Sequence, residues 1–103
     1  QGCEVFLVPT QWPAARGAHL EHLLTARAIE NQCALLACNA AGLAPHGELG
    51  GGSRLLSAWG EILFLCGRDP EVRCACLDPE DIVRARRFFD TRFSPRFRVE
   101  SGL

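Results

Sequence analysis

The side chains of this 103-residue chain with the greatest chemical capacity are its six cysteines (Cys3, Cys33, Cys38, Cys66, Cys74 and Cys76) and its three histidines (His19, His22 and His46). A thiolate is both a nucleophile and a zinc ligand. Neither chemistry finds its spacing here. Cys74 and Cys76 alternate on one extended run and face the same side, with Cys66 as a third sulfur, but no CxxC pair or Cys/His cluster supplies four ligands. No metal and no cofactor is expected. His19 and His22 are three residues apart with no carboxylate ligand beside them, and they read as an exposed first helical turn. His46, between Pro45 and Gly47, reads as a solvated loop residue. The cysteines lie in or beside apolar runs, where a free thiol behaves as a small hydrophobe. They are expected in the core of a protein from a reducing, cytoplasmic compartment. A small thiol enzyme would need one of them paired with His46.

Two polar groupings are the remaining candidates. Thr10-Gln11-Trp12 follows directly on an apolar strand. Ligands in open α/β sheets sit beyond the C-terminal ends of strands. These residues are therefore either a pocket wall, with Gln11 and Trp12 on the substrate, or a plain connection with Trp12 as a packing lid. Arg27, Glu30 and Asn31 lie within about one helical turn of each other, on or beside the apolar stripe of Leu20, Leu23, Leu24 and Ala28. A charge is buried cheaply only with a partner, so the three read as a polar lock, inside the fold or across a subunit contact; a catalytic Glu30 is the alternative. Gly50-Gly51-Gly52 invites a phosphate-loop reading but lacks the Lys-Ser/Thr ending and a strand-to-helix setting.

The elements that must position these groups follow from periodicity. Residues 4–8 form a short apolar run rich in β-formers and without polar alternation, which predicts a central strand covered on both faces and stopped by Pro9. Residues 19–31 repeat apolar side chains at helical spacing, and 33–38 form a second apolar run. That is a strand–helix–strand unit of an α/β layer protein. Residues 42–53, rich in glycine, predict a long loop or open turn. Residues 54–57 and 61–66 read as a hairpin turning at Gly60, and 72–77 as a further strand. Asp78 at an N-cap, Pro79 behind it and acids in the first turn predict a helix over 79–89, with Arg84, Arg86 and Arg87 toward its C-terminus. The tail, 90–103, mixes arginines with aromatics and is expected to lie against a surface.

Bulk composition narrows the function classes. A net charge of −1 gives no electrostatic case for nucleic acid or an anionic membrane, and no apolar run is long enough to span a bilayer. An apolar content of 48% is high for so small a chain and predicts that part of its surface needs a partner. The chain has no Met and begins at Gln1, so it is expected to be one segment, 1–103, of a longer protein.

Specific runs then become legible together. Val8-Pro9-x-x-Trp12-Pro13, Ala26-Arg27-Ala28-Ile29-Glu30-Asn31-Gln32, Ala37-x-Asn39-x-x-Gly42, Gly51-x-Ser53 and Trp59-Gly60-Glu61-Ile62-Leu63 resemble the carbon–nitrogen hydrolase (nitrilase) superfamily, and within it the ω-amidase branch. The resemblance covers almost the whole chain. It implies a four-layer α-β-β-α sandwich, of which this chain is the C-terminal part. It also implies amide or nitrile hydrolysis through a Glu base, a Lys and a Cys nucleophile that forms a thioester. Those three residues lie upstream of this stretch in the family, and this chain contains no Lys. The resemblance places Gln11 and Trp12 near the substrate and the 20–31 helix at a homodimer or higher homo-oligomer contact. The chain departs from the family pattern at Ser57-Ala58, where Asp-Pro is usual, and in its tail, which keeps only Pro95 and Phe97 of the usual ending. The expectation is a hydrolase fragment, inactive alone and acting on a small amide or nitrile when complete. The alternative is a non-catalytic oligomerisation module built from half of the sandwich.

Overall fold

The computed structural model describes residues 2–88. Strand β1 (Val5–Thr10), a single 3-10 turn (Ala14–Arg16), helix α1 (Gly17–Asn31) and strand β2 (Ala34–Asn39) form the expected strand–helix–strand unit. β1 and β2 are parallel, with Val5 opposite Ala34 and Thr10 opposite Asn39. Antiparallel strands β5 (Arg54–Leu56) and β6 (Ile62–Leu65) extend the sheet in the order β1-β2-β5-β6. They are joined as the expected hairpin. Ser57 Oγ accepts the Trp59 and Glu61 amides, and Gly60 takes a φ of 81° that L side chains resist.

The core lies between α1 and one face of this sheet. Leu20, Leu24 and Ala28 recur at i, i+4 and i+8 and meet Leu35, Ala37 and Leu56. Leu35 and Leu56 sit opposite one another across β2 and β5 and are the largest fully buried side chains. Each contributes about 1.5–3 kcal/mol by leaving water. Ala28 and Ala37 are small enough to let the helix approach closely. α1 ends where Gln32 turns left-handed at φ 50° and the Cys33 amide reaches back to the Ala28 carbonyl at 3.2 Å. A side chain in that conformation costs roughly 1–2 kcal/mol. The buried Gln32 amide, donating to the Ala85 carbonyl at 3.3 Å, helps offset this.

Helix α2 (Pro79–Phe88) starts as expected, with Asp78 Oδ1 accepting the Glu80 amide at 3.0 Å. Its Ile82 and Ala85 pack on Ala34 and Ala58 in a second small core, with Leu77 against it. Arg86 stitches it down, donating from Nε to the Gln32 carbonyl at 3.1 Å and from Nη2 to the Cys3 carbonyl at 2.6 Å. The expected last helical residue, 89, and the tail 90–103 lie outside the described residues.

Several expectations are corrected. β1 is an edge strand of the described sheet, not a central one. Phe6, Val8 and Thr10 point toward α1, whereas Leu7, on the opposite face, is 71% exposed and Val5 38%. Pro9 does not end the strand, because a missing N–H is harmless at an edge. Residues 42–53 are no loop. Strands β3 (Ala41–Ala44) and β4 (Gly47–Gly50) make a separate two-stranded hairpin, held by backbone pairing that a glycine-rich sequence does not advertise. Residues 72–77 form no strand; they run irregularly beside the second face of the sheet, where Arg73 donates to the Leu65 carbonyl at 3.1 Å and lies over the Phe64 ring. Core placement holds for Cys33 and Cys66, while Cys3, Cys38, Cys74 and Cys76 are exposed. Cys38 follows from strand alternation, which turns it toward the open second face.

Candidate functional site

β1 and β2 are parallel, so their C-terminal ends, Thr10 and Asn39, lie side by side at one end of the sheet. The segments around residues 11–13, 50–53 and 66–71 gather there. Asn39 is the pivot. Its side chain is buried, its Oδ1 accepts the Trp12 amide at 2.7 Å, and its Nδ2 donates to the carbonyls of Trp12 at 3.2 Å and Gly51 at 2.8 Å. Its own backbone N–H donates to Ser53 Oγ at 2.9 Å. One short amide thus fixes the segment after β1 against the segment before β5. The Gly50 amide, donating to the Trp12 carbonyl at 3.1 Å, docks the β3–β4 hairpin on the same turn.

The glycines here serve packing rather than phosphate. Gly51 has φ 57°, and a Cβ on it would stand 2.6 Å from the Gly67 carbonyl oxygen. The Gly52 amide donates to that oxygen at 3.0 Å. A cleft of about 200 Å³ opens beside them, lined by Cys38, Asn39, Ser53, Cys66, Asp69 and Glu71. Burial pushes the Cys66 thiol up, and the Glu71 carboxylate adds to that. Glu71 is held below the usual carboxylate range, chiefly by the Gly67 amide that donates to it at 2.8 Å. A thiol kept protonated beside a carboxylate is a poor nucleophile.

Trp12 is held in place by its neighbours. Its indole N–H donates to the Arg16 carbonyl at 2.5 Å, Arg16 stacks over the ring at 4.8 Å, and the ring packs on the main core beside Phe6 and Val8. It also lines an apolar groove of about 350 Å³ between β1 and α1, with Phe6, Val8, Leu23 and Arg27. Gln11 is exposed. Gln11 and Trp12 both follow the C-terminal end of β1, and of the two Trp12 lines the groove. The Arg27–Glu30–Asn31 grouping is elsewhere, on the last turns of α1. Arg27 Nη1 pairs with Glu30 Oε2 at 2.8 Å, and Asn31 Nδ2 donates to the Arg27 carbonyl at 2.9 Å. The three are linked, but Arg27 and Glu30 lie on an exposed surface, their side chains 55% and 61% exposed.

His46 sits on the turn of the β3–β4 hairpin, and no hydrogen bond joins it to a cysteine among the described residues. Sequence reasoning missed Asn39 and Ser53 as the pair that organises this end of the sheet. The available signal was a lone amide closing an otherwise apolar strand. It also missed buried Arg54, which stands on the helix-facing side of the sheet 3.9 Å from Glu21 of α1.

Comparison with protein families matches residues 1–87 to the family described as carbon–nitrogen hydrolase. The 2-oxoglutaramate amidase of Bacillus subtilis (strain 168) is 37% identical over 86 residues, covering 84% of this chain and 33% of that protein. The omega-amidase YafV of Escherichia coli (strain K12) is 35% identical over 91 residues, covering 87% of this chain and 34% of that protein. Among solved structures, Nit3 of Saccharomyces cerevisiae, a member of the nitrilase superfamily, superposes with a TM-score of 0.81 at 27% identity over 90% of this chain and 35% of that one. XC1258 of Xanthomonas campestris, a CN-hydrolase superfamily protein, gives 0.79 at 26% identity over 84% and 33%. The chain spans about a third of the length of these relatives, and its α/β layers match theirs.

Proposed function

The chain belongs to the carbon–nitrogen hydrolase family, and from that premise we propose that it is the part of an ω-amidase-like enzyme that follows the nucleophile. It supplies a substrate wall and a subunit contact to a site whose Glu, Lys and Cys lie outside it. The observation that carries this reading is the unfinished sheet. β1 leaves its outer edge unpaired within the described sheet, and Val5, Leu7, Leu36 and Cys38 are exposed on the face away from α1. An upstream strand added parallel to β1 would end beside Thr10, Gln11 and Trp12. The absence of Lys from the sequence supports the same reading.

In the complete enzyme the supplied thiolate attacks the carbonyl carbon of a small amide, ammonia leaves, and water cleaves the thioester. Trp12, fixed by Asn39, shapes the wall of that pocket, and Gln11 offers its amide to the substrate. Two relatives bear amidase names, which favours an amide over a nitrile. The Leu23 surface of α1, 44% exposed, with the Arg27–Glu30 pair beside it, forms the homodimer contact. Unpaired thiols at all six cysteines favour a reducing, cytoplasmic setting.

The test is ammonia release from an ω-amide of a dicarboxylic acid. The chain alone releases none. With an upstream segment carrying the Glu, Lys and Cys, release begins, and Gln11→Ala lowers it. A folded complex of the two parts without activity overturns the proposal. The same open face also favours a non-catalytic oligomerisation module; that reading requires a defined oligomer of the chain by itself and no gain of activity on complementation.

A further inference from the structure

Cys3 and Cys33 meet where the chain enters β1 and leaves α1. Cys33 is buried, and its Sγ lies 2.9 Å from the Cys3 carbonyl and 3.2 Å from that of Asn31. Cys33 Sγ thus lies directly against the backbone of Cys3. Cys3 is exposed, its Sγ 3.4 Å from the Val5 carbonyl. Arg86 of α2 completes the group: the Nη2 that donates to the Cys3 carbonyl at 2.6 Å also lies 3.5 Å from Cys33 Sγ. Among the described residues, no other cysteine sulfur receives a hydrogen bond from a guanidinium.

We propose that Cys3 and Cys33 are a reversible thiol–disulfide pair, oxidised by low-molecular-mass disulfides, that clasps the start of β1 to the turn between α1 and β2. The exposed Cys3 thiolate attacks the external disulfide, forming a mixed disulfide and releasing one thiolate. Cys33 then attacks Cys3 Sγ, forming the internal bond and releasing the second thiolate. The two protons lost by the cysteines go to the two released thiolates, and the external disulfide is the species reduced. Burial holds the Cys33 thiol up, and Arg86 acts in the opposite sense, favouring the charge that develops on Cys33 as it attacks. The bond closes a loop around β1 and α1, restricting the unfolded chain. This goes beyond the hydrolase reading and does not depend on it.

The experiment incubates the protein with oxidised glutathione, blocks remaining thiols with iodoacetamide, digests with trypsin and maps the linked peptides by mass spectrometry. Cleavage after Arg16, Arg27 and Arg54 puts Cys3 in one peptide and both Cys33 and Cys38 in another, so fragment ions between 33 and 38 identify the partner. A Cys3–Cys33 link within one chain, reversed by dithiothreitol and accompanied by a higher Tm, is expected. Cys38→Ser leaves both unchanged. Cys3→Ser, at an exposed position, abolishes the link and the Tm gain, and Arg86→Gln slows link formation several-fold. A link from Cys38, a link between chains, glutathione adducts without the internal bond, or no reaction overturns the proposal.

Discussion

Asn39 holds Trp12 by both ends of its backbone, accepting the Trp12 amide at 2.7 Å and donating to the Trp12 carbonyl at 3.2 Å. The same side chain donates to Gly51 at 2.8 Å. Asn39→Ala therefore strands buried backbone groups of two segments and is expected to cost about 2–4 kcal/mol in urea unfolding. Asn39→Asp keeps the acceptor, loses both donations and places a charge against two carbonyls, so it is expected to be no milder. A loss below about 1 kcal/mol for either variant would remove Asn39 from its pivotal place.

Gly51 cannot carry a side chain. Its φ of 57° disfavours one, and a Cβ would stand 2.6 Å from the Gly67 oxygen and 2.9 Å from the Arg68 Cα, both main-chain atoms that a rotamer change cannot move. Gly51→Ala is expected to destabilise by about 3 kcal/mol or more. Gly42→Ala, where φ is also positive but a Cβ meets no atom within 4 Å, is expected to cost about 1 kcal/mol. Equal losses in thermal unfolding would show that contact with the 67–68 segment is unimportant.

Glu71 gives the loop after β6 a pH dependence. The Gly67 amide holds its carboxyl below the ordinary value, so the folded state favours the carboxylate. That contribution is complete above the unfolded-state pKa and is lost as pH falls through the depressed folded value. The Gly67 amide resonance is expected to titrate below the usual glutamate range, and Glu71→Gln to abolish that titration. A midpoint at or above the ordinary range contradicts the assignment.

The outer face of α1 separates stability from assembly. Arg27 and Glu30 are exposed, and such a pair is worth about 0.3–0.5 kcal/mol. Arg27→Glu is expected to lower monomer stability by less than about 1 kcal/mol. If α1 forms the dimer contact, it also shifts the complemented enzyme to the monomer in sedimentation. A dimer that survives Arg27→Glu together with Leu23→Arg moves the contact off this helix.

The strand–helix–strand unit was legible because Leu20, Leu24 and Ala28 keep a strict helical period and the flanking runs are bounded by proline and asparagine. The start of α2 was legible in Asp78-Pro79. The β3–β4 hairpin was not, since glycine carries no pattern and Leu43 points outward at 89% exposure. The status of β1 was misread for a related reason. An apolar run reports that both faces are meant to be covered but not which part of a protein covers them, and the described residues leave Leu7 bare. Gln11 and Trp12 were legible as neighbours at a strand end, but the amide that fixes Trp12 sits on another strand, 27 residues away, and no local spacing announces it.

The most direct test of the central claim is the intact mass of the complemented enzyme, quenched with acid during turnover of an ω-amide. The account predicts an acyl adduct on the supplied upstream segment and none on any of the six cysteines of this chain. An acyl adduct on this chain would contradict it and make one of its own thiols the nucleophile.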